Sequence, residues 1–312
     1  MSFKHIPVML PQALCYLNCT PGKIYVDCTL GGSGHAGAIC KKIIPGGIFI
    51  GIDQDIDAVR NAQKVLTSFN LSIHLFHDNF IHLPEFLQQL KIDAVDGILL
   101  DLGISLHQLE SSGRGFSFNK DEPLDMRMNL KSVTTAEDLI NHMTEKNLKE
   151  IFYKYGEERR AGQIAKRIVT QRRRKAIRSS KEFAQIVCDA VPKYISFKQK
   201  IHPATRTFMA LRIAVNRELE MLDLFMDNVA NLLNHNGRLC VLSFHSLEDR
   251  IVKHRMKALE KGCICPPDLP KCACNKKPLV RILTKKVVRP TQDEVANNPM
   301  ARSAKLRVVE KI

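Results

Sequence analysis

Short apolar runs alternate with amphipathic stretches over the first 110 residues. IYVDC (24–28), IFIGID (48–53), SIHLF (72–76) and VDGILLDL (95–102) are runs of buried-strand type. Between them, residues 55–69 carry helical spacing, with Ile56, Val59, Ala62 and Leu66 on one face. Strand–helix alternation of this kind predicts a parallel sheet covered on both faces. The alternation stops near residue 134. From there to 215 the segments read as helices, and Ala161, Ile164, Ala165, Ile168 and Val169 follow the i, i+3, i+4, i+7, i+8 rule. Strand character returns at RLCVLSF (238–244), LVRILTKKVV (279–288) and AKLRVVEK (304–311), the last two predicted as an antiparallel edge. The pattern predicts one α/β domain interrupted by a helical insertion, with no internal repeat.

Composition changes this picture in two places. The 312 residues are 45% hydrophobic and 25% charged, which excludes a disordered, collagen-like or coiled-coil chain. No apolar stretch approaches the roughly 18 residues of a membrane span. MSFKHIPVML is too short in its apolar part for a signal peptide, so a soluble, cytoplasmic protein is expected. The net charge of +15 points to an anionic partner. Residues 1–110 hold 7 basic against 10 acidic side chains, whereas 141–215 hold 18 against 6. The excess therefore belongs to the insertion. Its densest part is Arg172, Arg173, Arg174, Lys175 and Arg178, which predicts phosphate neutralisation along nucleic acid. Replacing Arg172, Arg173 and Arg174 by Ala is expected to weaken RNA binding and to leave the helix intact.

Candidate chemistry gathers at the predicted strand ends. After the first strand stands DCTLGGSGHAG (27–37), a glycine-rich strand-to-helix turn that lets backbone approach a ligand closely. From Gly32 it satisfies G-x-G-x-x-G, but four residues, Asp27 among them, separate the glycines from the strand, unlike the dinucleotide fingerprint. The second strand ends in Asp53, suited to accept both ribose hydroxyls of an adenosine in either NAD or S-adenosylmethionine. HDNF (77–80) follows the third strand and Asp101 ends the fourth. Asp27, Asp53 and Asp101 together describe a site for adenosine and a cationic or amine-bearing group.

These residues, with DCTLGGSGH (27–35), GIDQD (51–55), GILLDLGIS (97–105), RGFSF (114–118), PLDMRM (123–128), YGEE (155–158), HPATRTF (202–208) and FHSLEDR (244–250), make the chain resemble the bacterial 16S ribosomal RNA cytosine-N4 methyltransferases, the RsmH or MraW family. The resemblance runs from HIPVML (5–10) to RSAKLR (302–307). It implies an α/β fold, a Rossmann-like class I S-adenosylmethionine-dependent methyltransferase with an inserted all-helical domain. On the chain this places the core at 1–107 and 216–312 and a basic RNA-binding insertion at 108–215. The cofactor implied is S-adenosylmethionine. The partner implied is 16S ribosomal RNA or the small subunit, with no role for DNA or a membrane. Cofactor contacts carried over by position are Ser33, Gly34, His35, Asp53, Phe80, Asp101 and Gln108. Ser33 stands where glycine is usual, Leu106-His107 where Ser-Pro is usual, and Met209 where Gln is usual.

Methylating an exocyclic amine requires no metal. It requires alignment and an acceptor for the amine hydrogens, because the nitrogen lone pair is delocalised into the ring. Asp101 is the catalytic candidate, with Phe244-His245-Ser246 as the other. Arg127, Arg206, His245 and Glu248 are the candidate RNA contacts, and Phe116, Phe118 or Phe244 would stack a flipped base. No metal is expected at this site. Cys263, Cys265, Cys272 and Cys274 could form a small zinc knuckle, although paired C-x-C is not the usual spacing. Two other readings stay open: a non-catalytic RNA-binding protein on this fold, and an NAD-dependent oxidoreductase.

Overall fold

The computed structural model describes residues 6–191, 201–262, 265, 274 and 276–312. Along the chain come α1 (Leu10–Leu17), β1 (Ile24–Asp27), α2 (Gly34–Ile43), β2 (Ile48–Asp53), α3 (Ile56–Leu66), β3 (Ser72–His77), α4 (Leu83–Leu90), β4 (Val95–Asp101) and α5 (Leu106–Glu110). Helices α6 (Ala136–His142), α7 (Glu145–Gly156), α8 (Ala161–Arg172), α9 (Ser180–Ala190) and α10 (Thr205–Asn216) follow. The chain closes with α11 (Glu218–Asn228), β5 (Leu233–Ser243), α12 (Ser246–Lys261), β6 (Val280–Ile282), α13 (Gln292–Asn297) and β7 (Lys305–Lys311). It divides into two compact units, Met1–Gly103 with Leu219–Ile312, and Ile104–Glu218.

The first unit is a seven-stranded sheet in the order β3-β2-β1-β4-β5-β7-β6. The first five of these strands run parallel, and β7 pairs antiparallel with both β5 and β6. Alternate residues of each strand face opposite sides. Val26, Ile50, Ile98 and Val241 pack on one face with α4, α11 and α12, and Tyr25, Phe49, Leu99 and Leu242 on the other with α1, α2 and α3. Burial on both faces is why these strands read as continuous apolar runs. The order reverses between β1 and β4, and at such a switch point an open α/β sheet binds ligands beyond its strand ends.

The run 279–288 yields a shorter strand than its composition suggests. Val280–Ile282 pairs along β7, and Val288 meets it again in an isolated antiparallel bridge to Leu306. Between them Thr284 places its hydroxyl, not its backbone, on the Val308 N–H at 2.9 Å, which interrupts the ladder. The segment before α1 is tied down by distant residues. Glu294 accepts the Met9 N–H at 2.5 Å, and Asn298 donates to the Ile6 carbonyl at 3.0 Å.

The second unit is helical around a core that includes Leu148, Phe152, Ile164, Ile168, Phe183, Phe208 and Leu211. The predicted apolar face of α8 is the buried one. Its last residue departs from expectation. Arg172 donates to the carbonyls of Ile140 and Met143 at 2.5 and 2.6 Å, closing the C-terminal end of α6. A guanidinium so engaged holds two helices together and is not a free docking group, whereas Arg173 and Arg174 are exposed. Of the four clustered cysteines, Cys263 and Cys272 lie outside the described residues, and with them the zinc knuckle.

Candidate active site

The carboxyl ends of β1, β2 and β4 bring Asp27, Asp53 and Asp101 around the loop that leads into α2. The loop is built against Asp53. Its carboxylate accepts the Gly31 N–H at 2.9 Å on one oxygen and the Asp55 N–H at 2.8 Å on the other. Each carboxylate oxygen offers two lone pairs, the acceptor chemistry that ribose hydroxyls require. Ser33, where glycine is usual, takes φ +63° as the N-cap of α2 and holds Asn61 through its hydroxyl at 3.2 Å. Gly34 has a steric reason. A Cβ there would stand 2.9 Å from the Pro7 ring, so residues 6–9 can lie across the loop only over glycine.

His35 connects that segment to the carboxylates. Its Nε2 lies 3.1 Å from the Val8 carbonyl, which can only accept, so Nε2 carries a hydrogen. Its Nδ1 faces Asp101 Oδ2 at 3.5 Å. The Asp101 backbone N–H donates to the Thr29 hydroxyl at 2.6 Å, and Asp27 Oδ1 accepts the Thr29 N–H at 3.1 Å. The other oxygen of each acid, Asp101 Oδ1 and Asp27 Oδ2, is buried with no hydrogen-bond partner among the described residues. Burial, and after it the charge of Glu248, pushes the Asp101 carboxyl up to about 7. Burial likewise raises Asp27 well above the ordinary carboxylate range, with Asp101 and Asp53 adding to the effect.

Crowded carboxylates with unsatisfied oxygens suit a ligand that brings positive charge and N–H or O–H donors. S-adenosylmethionine has all three: a sulfonium, an ammonium and two ribose hydroxyls. A dinucleotide diphosphate would meet three acids instead. The residues therefore fit S-adenosylmethionine, with Asp53 placed for the ribose and Asp101 and Asp27 for cationic or amine groups.

The remaining predicted residues lie in different places. Phe80 follows β3 on the same sheet edge, with its ring packed edge-on to Phe225 at 5.2 Å. His245 caps α12 in a reciprocal box with Glu248, whose carboxylate accepts the Phe244 N–H at 2.8 Å. Glu248 is buried, which removes it as an RNA contact and makes it the charge that lifts Asp101. Phe116 is buried in the helical core and unavailable for stacking, and the Phe118 ring stacks on His202. Phe244 lies against Gly103.

Gln108, Arg127 and Arg206 belong to the helical unit. Gln108 is buried, and its side-chain oxygen accepts the Ser105 N–H at 3.0 Å in a capping box. Arg127 forms a two-pronged pair with Asp125 at 2.7–2.8 Å and donates to the carbonyls of Leu130 and Ser132. Its donors organise the 125–132 loop. Arg206 is half-exposed, 3.9 Å from buried Glu158.

Two residues central to this geometry carried weak sequence signals. Glu248 was legible as the fourth residue of an H-x-x-E cap but not as a neighbour of Asp101. Thr29 has no signal beyond its place two residues after Asp27.

The sequence matches the MraW methylase family over residues 2–312. A ribosomal RNA small subunit methyltransferase H of Desulforapulum autotrophicum is 53% identical over 312 residues, covering all of both chains. The protein of the same name from Desulfosudis oleivorans is also 53% identical over the full length of both. That of Clostridioides difficile is 44% identical over 315 aligned positions, again covering both chains completely. The glycine loop, the three strand-end acids and this end-to-end similarity lead to one conclusion: the chain belongs to the MraW methylase family.

Proposed function

We propose that this methyltransferase moves a methyl group from S-adenosylmethionine to the N4 amine of a cytosine in the decoding region of 16S ribosomal RNA, in the cytoplasm. The observation that carries the chemistry is the buried, unpartnered Asp101 Oδ1 at the carboxyl edge of β4. The relatives' shared name supports the small-subunit RNA as acceptor.

When bound, S-adenosylmethionine supplies an electrophilic methyl on a sulfonium. Asp53 holds the ribose, and backbone at Ser33, Gly34 and His35 approaches the cofactor closely, with Phe80 bounding the same edge. Asp101, as carboxylate, accepts an N–H of the cytosine amine and so frees the nitrogen lone pair. Methylation leaves the nitrogen with one proton too many, and a carboxylate with an affinity near neutrality is matched to take it. His35 steadies the far oxygen of Asp101. Residues 104–218 dock the RNA, with Arg206 among the contacts on that unit and His245 holding the α12 end near the base.

The test is to incubate the protein with methyl-labelled cofactor and small subunits from a strain lacking the enzyme, then analyse the RNA nucleosides by mass spectrometry. N4-methylcytidine is the expected product. Label on another atom, or on none, overturns the assignment.

A second measurement addresses the cofactor side. Asp53→Ala is expected to weaken S-adenosylmethionine binding about ten- to a hundred-fold, the loss of a hydrogen bond to a charged group. Calorimetric titration of a variant shown to be folded checks it. An unchanged dissociation constant rejects Asp53 as the ribose acceptor.

A further inference from the structure

The helical unit contains a cavity of about 830 Å³ lined by Lys149, Glu158, Arg159, Arg160, Gly162, Gln163 and Arg206. Four cations face one carboxylate there. The carboxylate is already committed. Glu158 is buried, accepts the Arg160 N–H at 2.8 Å, and sits 3.9 Å from Arg206. Arg160 spends one guanidinium nitrogen on the neutral Gln163 oxygen at 3.0 Å. Lys149 and Arg159 are exposed and have no hydrogen bond or ion pair among the described residues.

This differs from four other arginines of the unit. Arg114, Arg127 and Arg172 are tied to backbone carbonyls, and Arg212 forms a two-pronged pair with Glu218. Those side chains hold the fold. The cations around the cavity repel one another, and beyond the Arg160 bond to Gln163 and the contacts of Arg206 with Glu158 and the Glu157 carbonyl little offsets that repulsion, an arrangement that an anion relieves. The first turn of α8 also opens here without a side-chain cap. Gly162 lies in that turn with space above it. A Cβ would stand 3.7 Å from the Lys149 stem, in ordinary contact, so the cavity floor is open because the side chain is absent.

We propose that Lys149, Arg159, Arg160 and Arg206 form a docking site for backbone phosphates of the RNA substrate. The inference rests on the reading of the chain as a ribosomal RNA methyltransferase and deepens it. Guanidinium forks match phosphate oxygens two at a time, and a lysine adds a point charge. Several cations spread around a cavity of this size fit successive phosphodiesters along a strand rather than a single small anion.

The experiment replaces side chains that hold nothing else. In the full chain, Lys149→Gln with Arg159→Gln should weaken binding of 16S ribosomal RNA roughly three- to tenfold per charge removed. It should also make the plot of log affinity against log salt shallower by about 0.7–0.9 per charge. Gly162→Glu, which puts a carboxylate into the cavity, should weaken binding more than the neutral control Gly162→Gln, with S-adenosylmethionine affinity unchanged in both. Affinity and slope equal to wild type in the double variant and in Gly162→Glu overturn the site. So does competition by polyglutamate as effective as that by RNA, which would make it a site for acidic protein. Should wild-type protein bind RNA through these residues yet transfer no methyl group, the docking site stands and the methylation reading fails.

Discussion

Asp101→Asn is expected to lower kcat by about 100- to 1,000-fold, the cost of removing one preorganised polar group from a reacting centre. It should also abolish a pH dependence of cofactor binding. In the free protein Asp101 holds its proton up to about pH 7, because burial and Glu248 disfavour the charged form. A cationic ligand prefers the carboxylate. Binding below pH 7 must therefore displace a proton, and affinity should fall tenfold for each unit below about 7 and be level above it. The opposite sign governs stability without ligand. The folded affinity for the proton exceeds the unfolded one, so the contribution of Asp101 is fullest below about pH 4 and is lost as pH rises toward 7.

The charged or titratable groups facing Asp101 are His35, Asp27 and Glu248. Calorimetry of S-adenosylmethionine binding between pH 5.5 and 8.5 separates them. A flat wild-type profile rejects the Asp101 assignment. A slope that persists in Asp101→Asn moves the titration to His35 or Asp27. His35→Asn with the wild-type slope retained would leave Asp101 as the titrating group.

What the sequence made legible follows from the range of the forces involved. The strands around Asp27, Asp53 and Asp101 are buried on both faces, so local composition reveals them, and the acids that end them come out in the right place. The buried face of α8 is legible for the same reason, since helical period is local. The tie between residues 6–9 and the far end of the chain is different. Met9 meets Glu294 and Ile6 meets Asn298 across more than 280 positions, through backbone groups that no spacing rule reports. HIPVML was visible as a family string, but Glu294 and Asn298 carried no signal that would make them its neighbours. Charge was the least faithful guide. A basic run announces an anion partner only if its side chains are free, and whether a guanidinium is free is decided by carbonyls tens of residues away. The run at Arg172 shows this, its two carbonyls lying 32 and 29 positions away.

Arg172 provides the second large effect. The sequence places it in the predicted docking run, beside Arg173 and Arg174, and the structure uses it to satisfy two carbonyls at the end of α6. Backbone carbonyls in the last turn of a helix have no intrahelical donor, and those that are buried lose free energy if left alone. Removing the guanidinium takes away two charge-assisted hydrogen bonds and leaves their acceptors unpaired. Arg172→Ala is therefore expected to destabilise the protein by about 2–4 kcal/mol. Arg173→Ala and Arg174→Ala, at exposed positions, should stay within about 0.5 kcal/mol of wild type. Urea unfolding followed by circular dichroism measures all three in the full chain. The triple replacement Arg172, Arg173 and Arg174 to Ala would then lose RNA affinity through loss of structure, so a weakened triple variant says nothing by itself about phosphate contacts. Arg172→Lys gives the deciding comparison. Lysine keeps the charge of the basic run but cannot span two carbonyls with a planar fork. If Arg172 were a phosphate contact alone, Lys would restore both stability and binding. If it is the clamp on α6, Lys recovers little of the stability, and a variant as stable as wild type would reject the clamp.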